Sequence, residues 1–212
     1  MRARQLGPDP RVRVAVVTVA LALSLLAPGS LAAASPAAAV RATGSVTCGS
    51  VTGRITYRPA LHHVGTTPDS VSITLRATRC ATTRSNVTRV TSGTLTQSIH
   101  LTTNSCQSAL SVVSGTVRGS GTWSAPTRRL KPTSATFSGV AFVRRPNGAF
   151  GMVLPEPAGT ASATGSFAGT DHGARTSAVA YSSLTSAQVL RACTSSAGLA
   201  VLSVTSGRLT VG

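Results

Sequence analysis

From residue 40 onward the apolar residues of this chain recur with a period of two, the signature of strands buried on one face. The clearest run is 70–78, where Val71, Ile73, Leu75 and Ala77 would face a core while Ser72, Thr74 and Arg76 face water. Similar alternation marks 51–57, 91–101, 115–123, 134–143, 160–167, 174–181 and 199–211. Clusters of Gly, Pro, Asn and Asp, such as 65–69 and 145–148, punctuate the runs as turns. One helix is predicted over 183–192, with Leu184, Ala187 and Arg191 near one face. Many short strands and a sparse helix predict an all-β fold, an antiparallel β-sandwich of Greek-key or jelly-roll type. A β-barrel is the alternative.

Ahead of residue 40 the pattern changes. Arg2, Arg4, Arg11 and Arg13 form a basic start, 14–26 is an apolar run, and Ala37, Ala38 and Ala39 offer a small-residue cleavage site. The run is shorter than the roughly 20 residues a membrane-spanning helix needs. Residues 1–39 therefore read as a secretory signal peptide and 40–212 as a single all-β domain. No transmembrane segment is expected in the mature chain, and the expected location is extracellular or cell-wall-associated.

Cys48, Cys80, Cys106 and Cys193 all lie in the second part, an even number in a chain expected to be exported, which predicts two disulfides. Three connectivities are possible. The favoured one joins Cys48 to Cys80 and Cys106 to Cys193, closing a compact N-terminal unit and tying the middle of the chain to its last strands. Zinc sites place cysteines two to four residues apart, and these are far more widely spaced.

A weak internal echo runs through the chain. Val90-Thr91-Ser92-Gly93-Thr94-Leu95-Thr96 and Val204-Thr205-Ser206-Gly207-Arg208-Leu209-Thr210 differ at one position, and each follows a cysteine. Duplication of a half-domain or convergent choice of strand formers would both produce it. The arrangement Cys48, Val51-Thr52-Gly53-Arg54-Ile55-Thr56-Tyr57-Arg58-Pro59-Ala60-Leu61, Cys80, Ser92-Gly93-Thr94-Leu95, Cys106, Cys193 and Gly207-Arg208-Leu209-Thr210-Val211-Gly212 resembles the uncharacterised small secreted all-β proteins of high-GC Gram-positive bacteria. The resemblance implies fold and export, and carries no catalytic or binding residue.

The groups that enzymes depend on are scarce. Only Asp69, Glu156 and Asp171 supply carboxylates beyond residue 39, and no Gly-x-Ser-x-Gly elbow occurs. Asp171-His172 reads as a solvated turn, because neighbours in a strand point to opposite faces. His62, His63 and Asp69 carry the donor types of a zinc or copper site, but they sit in a predicted surface loop. Lys131 is the sole lysine, and an internal isopeptide bond to an asparagine would also need a buried acid beside it. No cofactor, metal or catalytic residue is expected.

Charge is the remaining signal. The chain carries 20 Lys and Arg against 4 Asp and Glu, a net +16. Such a field draws polyanions. The cations concentrate in two stretches: Arg76, Arg79, Arg84 and Arg89 around Cys80, and Arg118, Arg128, Arg129, Lys131, Arg144 and Arg145 further on. Arg128-Arg129 and Arg144-Arg145 flank one predicted strand, so they are expected at its two ends, giving a basic shell rather than one groove. The aromatic residues are few, and most occupy strand positions that read as core, Trp123 among them, so no dedicated nucleic-acid site is expected. The leading expectation is an exported, non-enzymatic protein that holds anionic cell-envelope polymers through these arginines. A freely secreted binding protein, either an enzyme inhibitor or a carrier of a small apolar molecule, is the alternative, and a hydrolase comes third.

Overall fold

The computed structural model describes residues 37–110, 113–144, 149–154, 162–169 and 176–212. The fold is mostly antiparallel sheet, in the order β1 (Ser45–Leu61), β2 (Asp69–Thr83), β3 (Ser92–Leu101), α1 (Cys106–Ala109), β4 (Val113–Ser124), β5 (Thr133–Arg144), β6 (Ala149–Leu154), β7 (Ser162–Gly165), β8 (Ser177–Thr185), α2 (Ser186–Thr194) and β9 (Leu199–Val211). All nine strands belong to one sheet, ordered β4-β3-β2-β1-β9-β8-β6-β5-β7, with β4 also paired to β5. Gly119, Ser120 and Gly121 of β4 pair with β3 and with β5 at once, so these two partners occupy opposite edges of β4. The ladders thus form a continuous circuit through β1, β2, β3, β4, β5, β6, β8 and β9. Short β7 pairs only with the start of β5.

The period-two pattern explains which face is buried. Along β2, Val71, Ile73, Leu75 and Ala77 are buried while Ser72, Thr74 and Arg76 are exposed. Their partners on β1, Tyr57, Ile55 and Val51, are buried on the same face. Fully burying each such aliphatic side chain contributes roughly 1.5–3 kcal/mol. The outer face carries Ser and Thr almost throughout, as in the row Thr74, Thr96, Ser120, Ser134 across β2 to β5. Hydroxyls there bond laterally, Thr96 to Ser120 at 2.9 Å and Thr47 to Thr210 at 3.3 Å.

The antiparallel connections sort themselves to two ends. At one end lie α2, α1 and the segments that join β1 to β2 and β3 to β4. The Cys106–Cys193 disulfide ties α1 to α2 there, and the backbone of His62 donates to Asn104 and that of His63 to Cys193, both at 2.9 Å. Helix α2 starts on a capping box, with the Thr185 hydroxyl accepting from the Gln188 N–H and the Gln188 side chain accepting from the Thr185 N–H. Its buried residues are Val189 and Cys193, one turn apart, while Ala187 and Arg191 are exposed. At the other end lie 37–44, 84–91, 125–132 and 166–169. Cys48 and Cys80 are cross-strand partners on β1 and β2, joined by the second disulfide, so both expected bonds are present.

Candidate functional site

The segments at this second end are knitted together by backbone and asparagine. Val40 N–H donates to the Arg129 carbonyl and Lys131 N–H to the Val40 carbonyl, while Thr91 N–H donates to Ser124. Asn86 accepts from Thr43 N–H at 2.9 Å and its amide donates to the Arg41 carbonyl at 3.2 Å. Arg41, Arg84, Arg89, Arg128, Arg129 and Lys131 all sit on these segments, and all are exposed. Arg84 and Arg89 of the first basic stretch and Arg128, Arg129 and Lys131 of the second therefore share one end, because β2 and β4 run in the same direction and end side by side across β3.

The other expected cations are placed differently. Arg76 lies on the outer face of mid-β2, diagonal to Arg54, since Thr52 pairs with Arg76 and Arg54 with Thr74. Arg79 is exposed near the end of β2, with φ 54°, and its guanidinium donates to the Gly49 carbonyl at 3.3 Å. Arg118 is exposed on β4, opposite Thr136. Arg144 closes β5 and so belongs to the opposite end from Arg128 and Arg129, as expected. Arg145, like Glu156, Asp171 and His172, lies outside the described residues.

A floor of large side chains backs the basic end. Trp123 donates its indole N–H to the Thr133 hydroxyl at 2.8 Å, and that hydroxyl donates to the Ser166 carbonyl. Phe167, fully buried at φ 57°, meets Trp123 edge to face with ring centroids 5.4 Å apart. Its backbone N–H donates to the Ala42 carbonyl, and the Ser166 hydroxyl accepts from Ala42 N–H. Only glycine fits opposite the indole: a Cβ on Gly93 would stand 2.7 Å from the ring. Trp123 is thus a core anchor, as expected.

Inside the circuit, beyond this floor, is a cavity of about 60 Å³. Every strand of the circuit contributes to its wall, through residues such as Val51, Ile73, Leu95, Met152, Ala180 and Leu209. Sequence reasoning left this feature unplaced because its residues alternate along eight separate strands, and only the closing β4–β5 ladder brings them round one space.

Asp69 is buried at the start of β2, where Oδ1 accepts from Arg58 N–H at 2.8 Å and Oδ2 has no partner among the described residues. Burial raises its pKa, against the pull of the Arg58 and Ser70 N–H groups. Tyr57 is buried with a hydroxyl that has no partner among the described residues; burial first, and the charge of Asp69 second, push its pKa up. The carboxylate therefore serves the β1–β2 backbone. His62 and His63 bond through their backbones to different segments, and among the described residues no three of His, Cys, Asp and Glu gather round one point. Among the described residues no helix is long and apolar enough to cross a membrane. No family model, curated protein or solved structure matches the chain.

Proposed function

We propose that this is a non-enzymatic binding protein of an extracytoplasmic compartment, attached to anionic cell-envelope polymers through the cations of its basic end. One observation carries the reading. Arg41, Arg84, Arg89, Arg128, Arg129 and Lys131 are exposed together at one end, while Asp69, the one carboxylate side chain among the described residues, is buried at the other. A patch of one sign with no neutralising partner among the described residues focuses a field outward and favours a repeating polyanion over a compact neutral ligand. The two disulfides suit an oxidising compartment. The circuit of ladders favours a barrel-like closure over two packed sheets, which leaves the connections at the ends as the natural binding surface.

Co-sedimentation of the purified protein with isolated cell wall tests this. Screening shortens the Debye length from about 10 Å at 0.1 M salt to about 3 Å at 1 M. Binding is expected to disappear over that range, and at 0.1 M a variant carrying Arg128→Gln, Arg129→Gln and Lys131→Gln is expected to release the wall while Arg144→Gln retains it. Equal retention by the two variants, or no sedimentation at any salt, would overturn the proposal.

A further inference from the structure

The interior cavity is a second candidate site, separate from the basic end. Its wall is apolar except for a few groups, whose hydrogen bonds can be followed one by one. Thr133 is committed to Trp123 and Ser166, and the Thr96 and Ser120 hydroxyls bond each other on the outer face. Two atoms remain: the side-chain nitrogen of Gln97 and the hydroxyl of Thr176 are both buried, both belong to cavity-lining residues, and neither has a partner among the described residues. Thr176 is 9% exposed. Gln97 pairs with Ile73 on one side and Gly119 on the other, so it occupies an inward position of β3 with no bulk beside it on β4.

A buried donor without a partner costs about 1–3 kcal/mol, so a fold that keeps two of them on one apolar space gains when something fills it. Water is a poor occupant. A buried water wants about three polar partners, and the described walls supply two, one on β3 and one just before β8, strands four ladders apart by either route round the circuit. An anion is equally poor, because no Arg, Lys or His is among the described lining residues and its charge would stay unpaired. What the donors fit is a neutral acceptor carried on an apolar frame.

We infer that the interior binds a compact neutral carbonyl compound, a ketone or ester, whose oxygen accepts from the Gln97 amide while its hydrocarbon part fills the space between Ile73, Met152 and Leu209, with the Thr176 hydroxyl serving a second polar atom in larger members of the class. A cavity of about 60 Å³, at roughly 10–15 Å³ for each water-sized position, holds about four to six heavy atoms.

The probes are cyclopentanone and its shape-matched hydrocarbon methylenecyclopentane. Affinities are read by calorimetry, and hydrogen bonding by the carbonyl carbon shift of labelled ketone in NMR. The wild-type protein is expected to bind the ketone about tenfold more tightly than the hydrocarbon. Gln97→Met is expected to erase that preference and the carbonyl shift while still binding both, and Ala135→Leu, which fills the wall, to block both. Equal affinity of the wild-type protein for the two probes would show an apolar cavity without the acceptor contact and overturn the inference, as would binding of neither. Retention of the ketone preference in Gln97→Met would also overturn it. None of these outcomes bears on wall binding by the basic end, whose test uses other residues and another ligand.

Discussion

The Trp123–Thr133–Ser166 chain is where the floor of the interior is most exposed to a single substitution. Thr133→Val keeps the shape of the side chain and removes its hydroxyl, leaving the indole N–H of Trp123 and the carbonyl of Ser166 without the partners they have now. Thr133 and Trp123 are 4% and 8% exposed, so water does not replace the lost group without opening the floor. Each orphaned buried group costs about 1–3 kcal/mol, giving a loss of about 2–6 kcal/mol for the two. For a domain of 150–250 residues each kcal/mol lowers the melting midpoint by about 2–4 °C, so a fall of roughly 4–24 °C is expected.

Thermal unfolding followed by circular dichroism measures that shift. Trp123 is the sole tryptophan, so its emission reports the local change directly and should move to shorter wavelength as the indole loses its hydrogen bond. Thr133→Ser, which keeps the hydroxyl and drops a methyl, separates the hydrogen bonds from packing and is expected to recover most of the stability and the wild-type emission. A Thr133→Val protein that melts within about 1 °C of wild type with unchanged emission would refute the claim that this hydroxyl holds the floor together.

Asp69 predicts a pH dependence. Its pKa is raised in the fold, so the folded state binds a proton to higher pH than the unfolded chain does. The stability this supplies is complete below the ordinary carboxylate range and is lost as pH rises through the folded value. Asp69→Asn, which keeps an oxygen for the Arg58 N–H, is expected to lack that decline in urea titrations from pH 3 to pH 7; an identical decline in the variant would contradict the assignment. The disulfides predict a ranking. Cys106–Cys193 closes a sequence separation of 87 residues and Cys48–Cys80 one of 32, so in the chain-entropy model their removal costs about 4.5 and about 4 kcal/mol. Paired Cys→Ala variants compared by denaturant unfolding test this, and a loss below about 1 kcal/mol for either pair would place its effect outside that model.

Strand positions were the most legible part of the chain. Each expected run overlaps a strand, and 199–211 coincides with β9, because half-burial leaves a period-two mark on sequence. Ala149–Leu154 escaped, since Ala149-Phe150-Gly151-Met152-Val153-Leu154 is an unbroken run with no alternation to read. The helix start was misplaced although Thr185-Ser186-Ala187-Gln188 is the capping-box spacing, and the sequence left open which side of the helix is buried, the side that carries Val189 and Cys193. The ends of the fold were illegible for another reason. That Arg84 and Arg128 share an end depends on the direction of β2 and β4 on either side of β3, and that Gln97 and Thr176 share a cavity depends on closing the circuit; neither fact is local.

The internal echo shows how topology settles what sequence leaves open. Its two copies fall in β3 and β9. In the circuit β1, β2, β3, β4, β5, β6, β8, β9, a duplicated half of four strands would match β3 with β8 and β4 with β9. The copies therefore do not occupy equivalent places, and the cysteines that precede them differ too, Cys80 in a strand and Cys193 in a helix. What the copies share is a local demand. Gly93 lies under the Trp123 ring, and a Cβ on Gly207 would stand 2.3 Å from the Val179 carbonyl and 3.0 Å from Val51. Both are places where a neighbouring strand or ring comes so close that only glycine fits, followed by a leucine directed at the same interior. The same steric demand at two points of one circuit selects the same short phrase, and convergence accounts for the echo where duplication does not.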